Sequence, residues 1–329
     1  MAVTLALALV PVLALLTGCG GSGSKSVKPP DLSCKWADPW FTCLDYSPTW
    51  APSGDTLAFV RGRDSLGVYL VSTAGGRPRR ILATTYWDFA DELSWSPVGG
   101  VIALGYGDEI CTLEIGSGQL RRWTALASVS PRWPRWSPDG RYILFDITGK
   151  IAFTPDSSWG LHIIDTRDGT SRAILNARGE PVIALSRPSW SSTGEIAYAT
   201  SPGSTLSTDV WVIGVDGSRQ RRLTRLVGIA SNPQWTPDGR SILFDYSPSP
   251  RCYPTGQMGR STWVVGGDGS GLREWVPNLG DPHVTKGYPF ELKADGEEVA
   301  GVALDSTGTI GVIRIMRLDG SGKRQITGP

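Results

Sequence analysis

A short phrase built around tryptophan recurs along the chain, and it constrains the fold more than any other feature of the sequence. Five copies have a tryptophan followed by a turn that ends in glycine, and a sixth has Leu292 in place of the tryptophan. These six marker positions are residues 50, 95, 136, 190, 235 and 292, with spacings of 45, 41, 54, 45 and 57 residues. A period of about 40–45 residues with four strands per repeat is typical of a β-propeller.

Each repeat predicts the same four strands. The marker ends a first strand, and a tight turn leads to a second, apolar strand, as at residues 142–145. A third strand, as at 210–215, is followed by a turn such as Asp216-Gly217 and by a fourth strand. Asp-Gly between two alternating runs is a strong hairpin signal. With 41 glycines and 24 prolines supplying turns, we predict an all-β, six-bladed β-propeller with four-stranded blades over residues 46–329.

The N-terminal residues predict export and a lipid anchor. Residues 4–16 are almost purely apolar. The motif Leu16-Thr17-Gly18-Cys19 at the end of this run resembles the lipobox of bacterial lipoproteins. We therefore predict a lipoprotein signal peptide at 1–18 and lipidation of Cys19, although no Lys or Arg precedes the apolar run. The alternative is an ordinary secretory signal peptide, with Cys19 a bystander. Residues 19–45 would supply the lipid anchor, a flexible Gly/Ser tether and a possible capping segment or ring-closing strand at 36–43.

The predicted export bears on the cysteines, and the sequence carries no metal-binding motif. Disulfides are permitted outside the cytoplasm, and Cys34 and Cys43 close a short loop, so we predict a possible disulfide between them. No CxxC pair is present, and the two histidines lack the spacing of a metal motif, so the sequence indicates no metal site and no cofactor. The net charge of +1 argues against a nucleic-acid partner. Paired basic residues before the end of several repeats fit the charged outer edge of a blade.

The repeat itself resembles that of a known family. Trp-Ser-Pro-Asp-Gly-Arg-x-Ile-x-Phe at 136–145, with Val-Asp-Gly and Arg-Arg-Leu-Thr at 215–224, resembles the WD40-like repeat of the TolB propeller over residues 46–329. The resemblance implies a six-bladed propeller and a role in binding other envelope proteins. TolB carries an additional N-terminal α/β domain, and only a short segment separates the tether from the first repeat here. The role of TolB at the outer membrane therefore does not transfer.

Because the tryptophans recur at one point of the repeat, we predict that they pack between blades and do not stack on a ligand. Function is usually carried by variable loops on a regular frame. The loops at 147–160 and 246–261 are long, which predicts a binding face on that side of the ring, around the channel mouth. The candidate residues are Trp87, Asp88, Arg132, Arg135, Asp146, Arg187, Asp245, Arg251, Tyr253, Lys286 and Tyr288.

Three functions fit this sequence. The first is a non-catalytic protein-binding or scaffold propeller, lipid-anchored on the outer side of the bacterial membrane in the periplasm or at the cell surface. The second is a metal-dependent propeller enzyme of the lactonase, sugar dehydrogenase or lyase type, in which Asp88, Asp146 and Asp245 would converge on an ion. The third is a sensor that binds glycan or peptide. We favour the first, because the repeats resemble TolB and no hydrolase motif accompanies them.

Overall fold

The computed structural model describes residues 45–62, 65–85, 90–124, 129–149, 159–203, 207–248, 261–275, 290–304 and 311–328. These residues form 24 β-strands in six four-stranded antiparallel sheets, each made of four consecutive strands. The predicted six-bladed propeller with four-stranded blades is therefore confirmed. The predicted signal peptide, the tether, Cys19, Cys34 and Cys43 lie outside the described residues. Within the described ranges, no helix is long and apolar enough to cross a membrane.

The blades follow one another in chain order. Blade 1 contains β1 (Asp45–Trp50), β2 (Thr56–Arg61), β3 (Gly67–Ser72) and β4 (Arg79–Ala83). Blade 2 contains β5 (Ala90–Trp95), β6 (Val101–Tyr106), β7 (Glu109–Glu114) and β8 (Leu120–Arg122). Blade 3 contains β9 (Val129–Trp136), β10 (Tyr142–Gly149), β11 (Gly160–Asp165) and β12 (Ser171–Ala173).

The second half of the ring repeats this order. Blade 4 contains β13 (Ser189–Trp190), β14 (Glu195–Thr200), β15 (Asp209–Gly214) and β16 (Arg221–Arg222). Blade 5 contains β17 (Ile229–Trp235), β18 (Ser241–Ser247), β19 (Ser261–Gly266) and β20 (Arg273–Glu274). Blade 6 contains β21 (Glu291–Leu292), β22 (Glu298–Leu304), β23 (Gly311–Arg317) and β24 (Arg324–Gln325). In every blade, the first or inner strand ends at the marker position.

The core lies in the second and third strands, where the blades pack on one another. An aromatic residue of the second strand is fully buried at one equivalent position in four blades: Phe59, Phe145, Tyr198 and Phe244. Burying a ring of this size contributes about 2–3 kcal/mol each. One cluster of buried side chains runs from blade 2 through blade 1 into Ala300, Ile313 and Ile315 of blade 6. The ring is thus continuous across the junction of its first and last blades.

The recurring threonine after the fourth strand accepts a hydrogen bond from a backbone amide. The Oγ1 atoms of Thr124, Thr224 and Thr327 accept hydrogen bonds from third-strand amides of Ile110, Val210 and Ile313 at 2.9, 3.0 and 2.9 Å. All three threonines are buried. Because an unpaired buried amide is costly, this position requires a side-chain acceptor. The requirement explains why threonine recurs after the fourth strand.

The paired basic residues also act between structural elements. Arg221 forms a two-pronged ion pair with Glu195, at 2.7 and 2.9 Å, and donates to the Gly267 carbonyl of blade 5 at 2.7 Å. Its neighbour Arg222 pairs with the fully buried Asp209 at 2.6 Å. Charge-assisted bidentate pairs of this kind fix geometry as well as charge. These arginines therefore tie fourth strands to their own blade and to the next one.

Candidate functional site

A cavity of about 210 Å³ occupies the central channel, at the end where the inner strands finish. Its wall holds marker tryptophans, prolines of the turns that follow them, and charged or amide residues of the inner strands. The lining includes Trp95, Trp136, Trp190, Trp235, Arg135, Arg187, Asn232 and Glu291. We call this region the turn-side mouth. It combines aromatic surface with charge, which is a composition common at recognition sites.

The rim of the turn-side mouth is a ring of tight turns that contact one another. A Cβ atom at Gly140 would lie 3.0 Å from Cγ1 of Val98 in the preceding blade. The corresponding distance from Gly239 to the Ser192 hydroxyl is 2.7 Å. Both glycines have positive φ, which residues with a Cβ adopt only at a cost. Val98 is 74% exposed on this rim.

Inner strands carry a β-bulge three residues before the marker. Residues at this position adopt the left-handed conformation: Ser47 (φ 49°), Glu92 (φ 51°), Trp133 (φ 56°) and Asn232 (φ 51°). The pairing with the second strand shifts register at the same place in these four blades. A bulge redirects the side chains around it. In blade 4 the same position is Arg187, which lines the cavity.

One residue before the marker, uncharged polar side chains link neighbouring blades. Each accepts a hydrogen bond from the marker amide of the next blade: Thr49 from Trp95 (3.0 Å), Ser94 from Trp136 (3.1 Å), Ser189 from Trp235 (3.1 Å) and Gln234 from Leu292 (3.3 Å). We call this set the inner relay. It explains why these positions are polar although they lie in the centre of the molecule.

Two charged residues interrupt the inner relay. At Arg135 and Glu291, it is the backbone carbonyl that accepts, from the indole Nε1 of Trp190 at 3.2 Å and of Trp50 at 3.0 Å. Arg135 belongs to blade 3 and Glu291 to blade 6, which stand opposite each other in the ring of six. Their side chains extend into the channel, and Arg135 Nη2 lies 3.7 Å from Glu291 Oε2. This distance allows attraction but exceeds that of a hydrogen bond.

A second ion pair lies beside the first. Arg187 is 4% exposed and its Nε contacts Glu92 Oε2, while its Nη2 is buried without a hydrogen-bond partner. Burial and, next, the charge of Arg187 lower the pKa of Arg135 to about 10, whereas Glu291 and Glu92 oppose that shift. The channel therefore holds two arginines close enough to repel each other and two carboxylates that balance them.

The structure separates the predicted site residues. Arg135 and Arg187 come together in the cavity. Asp146 and Asp245 are buried near the ends of their strands, where Asp146 accepts from the Ala184 amide at 3.4 Å and Asp245 from Asn232 Nδ2 at 3.0 Å. Arg132 is exposed, three residues before Arg135. Outside the described residues lie Trp87, Asp88, Arg251, Tyr253, Lys286 and Tyr288.

Sequence reasoning did not find Glu92 and Glu291. A signal for Glu291 was present, because the residue before the marker is Thr, Ser or Gln in four repeats and charged in only two. The position of Glu92 depends on the bulge, for which the sequence carries no recognisable pattern. Among the described residues, no group of three His, Cys, Asp or Glu side chains is placed to hold a metal ion. His162 is buried, with Nδ1 2.9 Å from the Gly160 carbonyl.

The fold and the channel define a six-bladed β-propeller protein with a charged, aromatic-lined channel mouth. The chain is similar to a protein described as Protein TolB homolog from Chlorobium luteolum, with 29% identity over 216 residues, 58% of this chain and 45% of that relative. A 45-residue stretch, 13% of this chain, is 53% identical to 10% of Tol-Pal system protein TolB from Bordetella pertussis. The chain thus spans less than half the length of these relatives, and no protein-family profile matches it.

Solved structures share the propeller. TolB from Acinetobacter baumannii superimposes with a TM-score of 0.62 and 14% identity, covering 88% of this chain and 64% of that one. An oligogalacturonate lyase in complex with manganese gives a TM-score of 0.56 and 13% identity, covering 88% of this chain and 79% of the lyase chain. At these identities the likeness concerns the fold alone. The TolB-type six-bladed propeller is therefore the architecture of this chain, and its function follows from its own site.

Proposed function

We propose that the protein is a non-catalytic binding propeller of the bacterial envelope, and that its turn-side mouth receives a segment of a protein partner. The observation that carries the proposal is the combination, in one cavity, of marker tryptophans with Arg135 and Arg187. Aromatic and Arg side chains dominate the energetics of protein interfaces. The similarity to TolB relatives supports the same class of function.

The lipid anchor at Cys19 completes the proposal. It would hold the propeller at the outer side of the cytoplasmic membrane or at the cell surface, on the tether that precedes residue 45. Labelled palmitate should enter the wild-type protein and not a Cys19→Ser variant expressed in the same host. Label retained in Cys19→Ser would contradict the anchor and leave the binding proposal standing.

Photo-crosslinking from two matched valines tests where the partner binds. Val98 is 74% exposed on the rim of the turn-side mouth. Val227 is 84% exposed in the link between blades 4 and 5, on the opposite, loop-bearing face. A photoreactive phenylalanine analogue is introduced at either position in the full chain, in host cells, and the adducts are identified by mass spectrometry.

We expect a discrete protein adduct from position 98 and none from position 227. Adducts from position 227 alone would overturn the turn-side mouth and favour the long-loop face predicted from the sequence. No adduct from either position, together with a stoichiometric divalent ion in the purified protein, would favour the metal-dependent enzyme instead. The matched valines separate the two faces because both side chains are exposed and of equal size.

A further inference from the structure

We infer that the turn-side mouth recognises a carboxylate of its partner, held between Arg135 and Arg187. This inference rests on the proposed function and names the chemical group that the site selects. Arg135 and Arg187 lie in one cavity although each places a positive charge near the other. Such an arrangement is stabilised only by anionic groups between or beside the guanidinium planes.

The carboxylates of Glu291 and Glu92 do not accept all the hydrogen bonds that the two arginines can donate. Arg135 donates through Nη1 to the Leu93 carbonyl at 3.1 Å, but its Nη2 stands 3.7 Å from Glu291. Arg187 contacts Glu92 through Nε, and its Nη2 has no hydrogen-bond partner. The Nη2 group of each arginine therefore lacks a hydrogen-bonded acceptor. A carboxylate has two oxygens and can accept one bond from each arginine.

Glu291 acts as the internal competitor for that ligand. Its backbone carbonyl is fixed by Trp50, whereas its side chain is partly exposed and only loosely paired. An incoming carboxylate can therefore replace it at Arg135 without disturbing the ring. Glu92, in direct contact with Arg187, stays in place and keeps the site near neutrality. This balance favours a singly charged carboxylate over a phosphate, because the two glutamates repel a second negative charge.

The experiment measures short peptides binding to the full chain, followed by the indole N–H signals of ¹⁵N-labelled protein in NMR spectra. Two carboxylate sources are compared with neutral partners of the same length. Acetyl-trialanine with a free C-terminus is compared with its amide, and acetyl-Ala-Glu-Ala amide with acetyl-Ala-Gln-Ala amide. Whichever of the two acidic peptides binds more tightly tells whether a chain terminus or an acidic side chain is recognised.

Substitutions at Glu291 and Arg135 should change the affinity for acidic peptides in opposite directions. Glu291→Gln removes the competitor and should tighten acid-peptide binding about tenfold, since it takes away a neighbouring like charge. Arg135→Gln should weaken binding at least tenfold, and Arg135→Lys, which keeps the charge but loses the planar fork, should lie between Arg135→Gln and wild type. Arg132→Gln is the matched control, because Arg132 lies in the same strand and is exposed outside the cavity lining. It should bind as wild type does.

Three results would overturn the inference. They are weaker binding in Glu291→Gln, equal binding of acid and amide peptides, or inorganic phosphate binding more tightly than either acid. If a partner still crosslinks at position 98 while acid and amide peptides bind equally, the proposed function stands and only the carboxylate is wrong. If position 98 gives no adduct and no peptide binds, the proposed function and the carboxylate inference are both wrong.

Discussion

The buried imidazole of His162 links the stability of blade 3 to pH. Its side chain packs against Phe145 with ring centroids 5.6 Å apart, and it is 8% exposed. Burial lowers the pKa of His162, and its contact with the Gly160 carbonyl only partly offsets that shift. The folded-state pKa is therefore below the unfolded value of about 6.5. Below that pH, the unfolded chain binds the proton more readily than the folded one does.

We predict that the free energy of unfolding falls as the pH drops below about 6.5 and is insensitive to this group above that value. A His162→Gln variant should lose most of this dependence, whatever its stability at neutral pH. Urea unfolding at about pH 7.5 and 5.5 measures both. The surface aspartates whose pKa values are lowered act in a separate window, below about pH 4. His283→Gln, which changes the other histidine, is the control; an equal pH dependence in wild type and His162→Gln would rule out this assignment.

At the scale of strands and turns, the glycines of the second turns set how closely neighbouring blades approach. Gly217 lies in the turn between β15 and β16 with φ +85°, and a Cβ there would lie 2.0 Å from the Leu175 carbonyl oxygen of the preceding blade link. Gly269 occupies the same position in blade 5 with φ +88°, but the nearest atom would lie 3.7 Å away. The two sites share a backbone conformation and differ in their neighbours.

We predict that Gly269→Ala costs about 1–2 kcal/mol, the strain of a left-handed residue with a Cβ. Gly217→Ala should cost at least about 2 kcal/mol more, because a backbone carbonyl cannot rotate away as a side chain can. Chemical denaturation of the two variants side by side gives the difference. Equal losses would show that the link around Leu175 moves freely, contrary to its contact with Gly217.

The same scale shows what the sequence could predict. The inner strands end at residues 50, 95, 136, 190, 235 and 292, as the repeat indicates, because period and turn chemistry are local properties. The bulges could not be predicted, since Ser47, Glu92, Trp133 and Asn232 share no side-chain property that favours positive φ. The pairing of Arg135 with Glu291 was equally hidden, because it joins residues 156 positions apart across the channel.

At the scale of the whole molecule, the junction of blades 6 and 1 brings together the last and the first blades in chain order, whereas each other junction joins blades that are consecutive in the chain. Each of these blades is built from its own four strands, and no described strand is shared between them. Their contact includes the bond from Trp50 Nε1 to the Glu291 carbonyl and the bond from Arg324 Nε to the Thr73 carbonyl at 3.4 Å. The Lys293 ammonium also lies 5.7 Å from the centre of the Trp50 ring. Side chains therefore hold this junction, together with the shared apolar core.

This difference predicts unequal effects from two equivalent substitutions. Trp50→Phe and Trp190→Phe each remove one indole donor to a carbonyl of the preceding blade. Each should cost about 1 kcal/mol in global stability. At the junction of blades 3 and 4, the link through Val182 keeps the blades together, since its backbone pairs with Leu161 and Ile174 of blade 3. Blades 6 and 1 have no described link of this kind, so Trp50→Phe should also increase local opening.

Native-state hydrogen exchange distinguishes the two variants. In Trp50→Phe, the amides of β22 and β23 should exchange several-fold faster than the loss in global stability alone would cause, while those of β14 and β15 should change only by that loss. In Trp190→Phe, neither set should change beyond the loss in global stability. Faster exchange of β14 and β15 in Trp190→Phe would mean that the ring opens as readily at blades 3 and 4. Unchanged exchange of β22 and β23 in Trp50→Phe would mean that the junction is held mainly by its apolar core, because the Ala300, Ile313 and Ile315 side chains would then suffice to keep the ring closed.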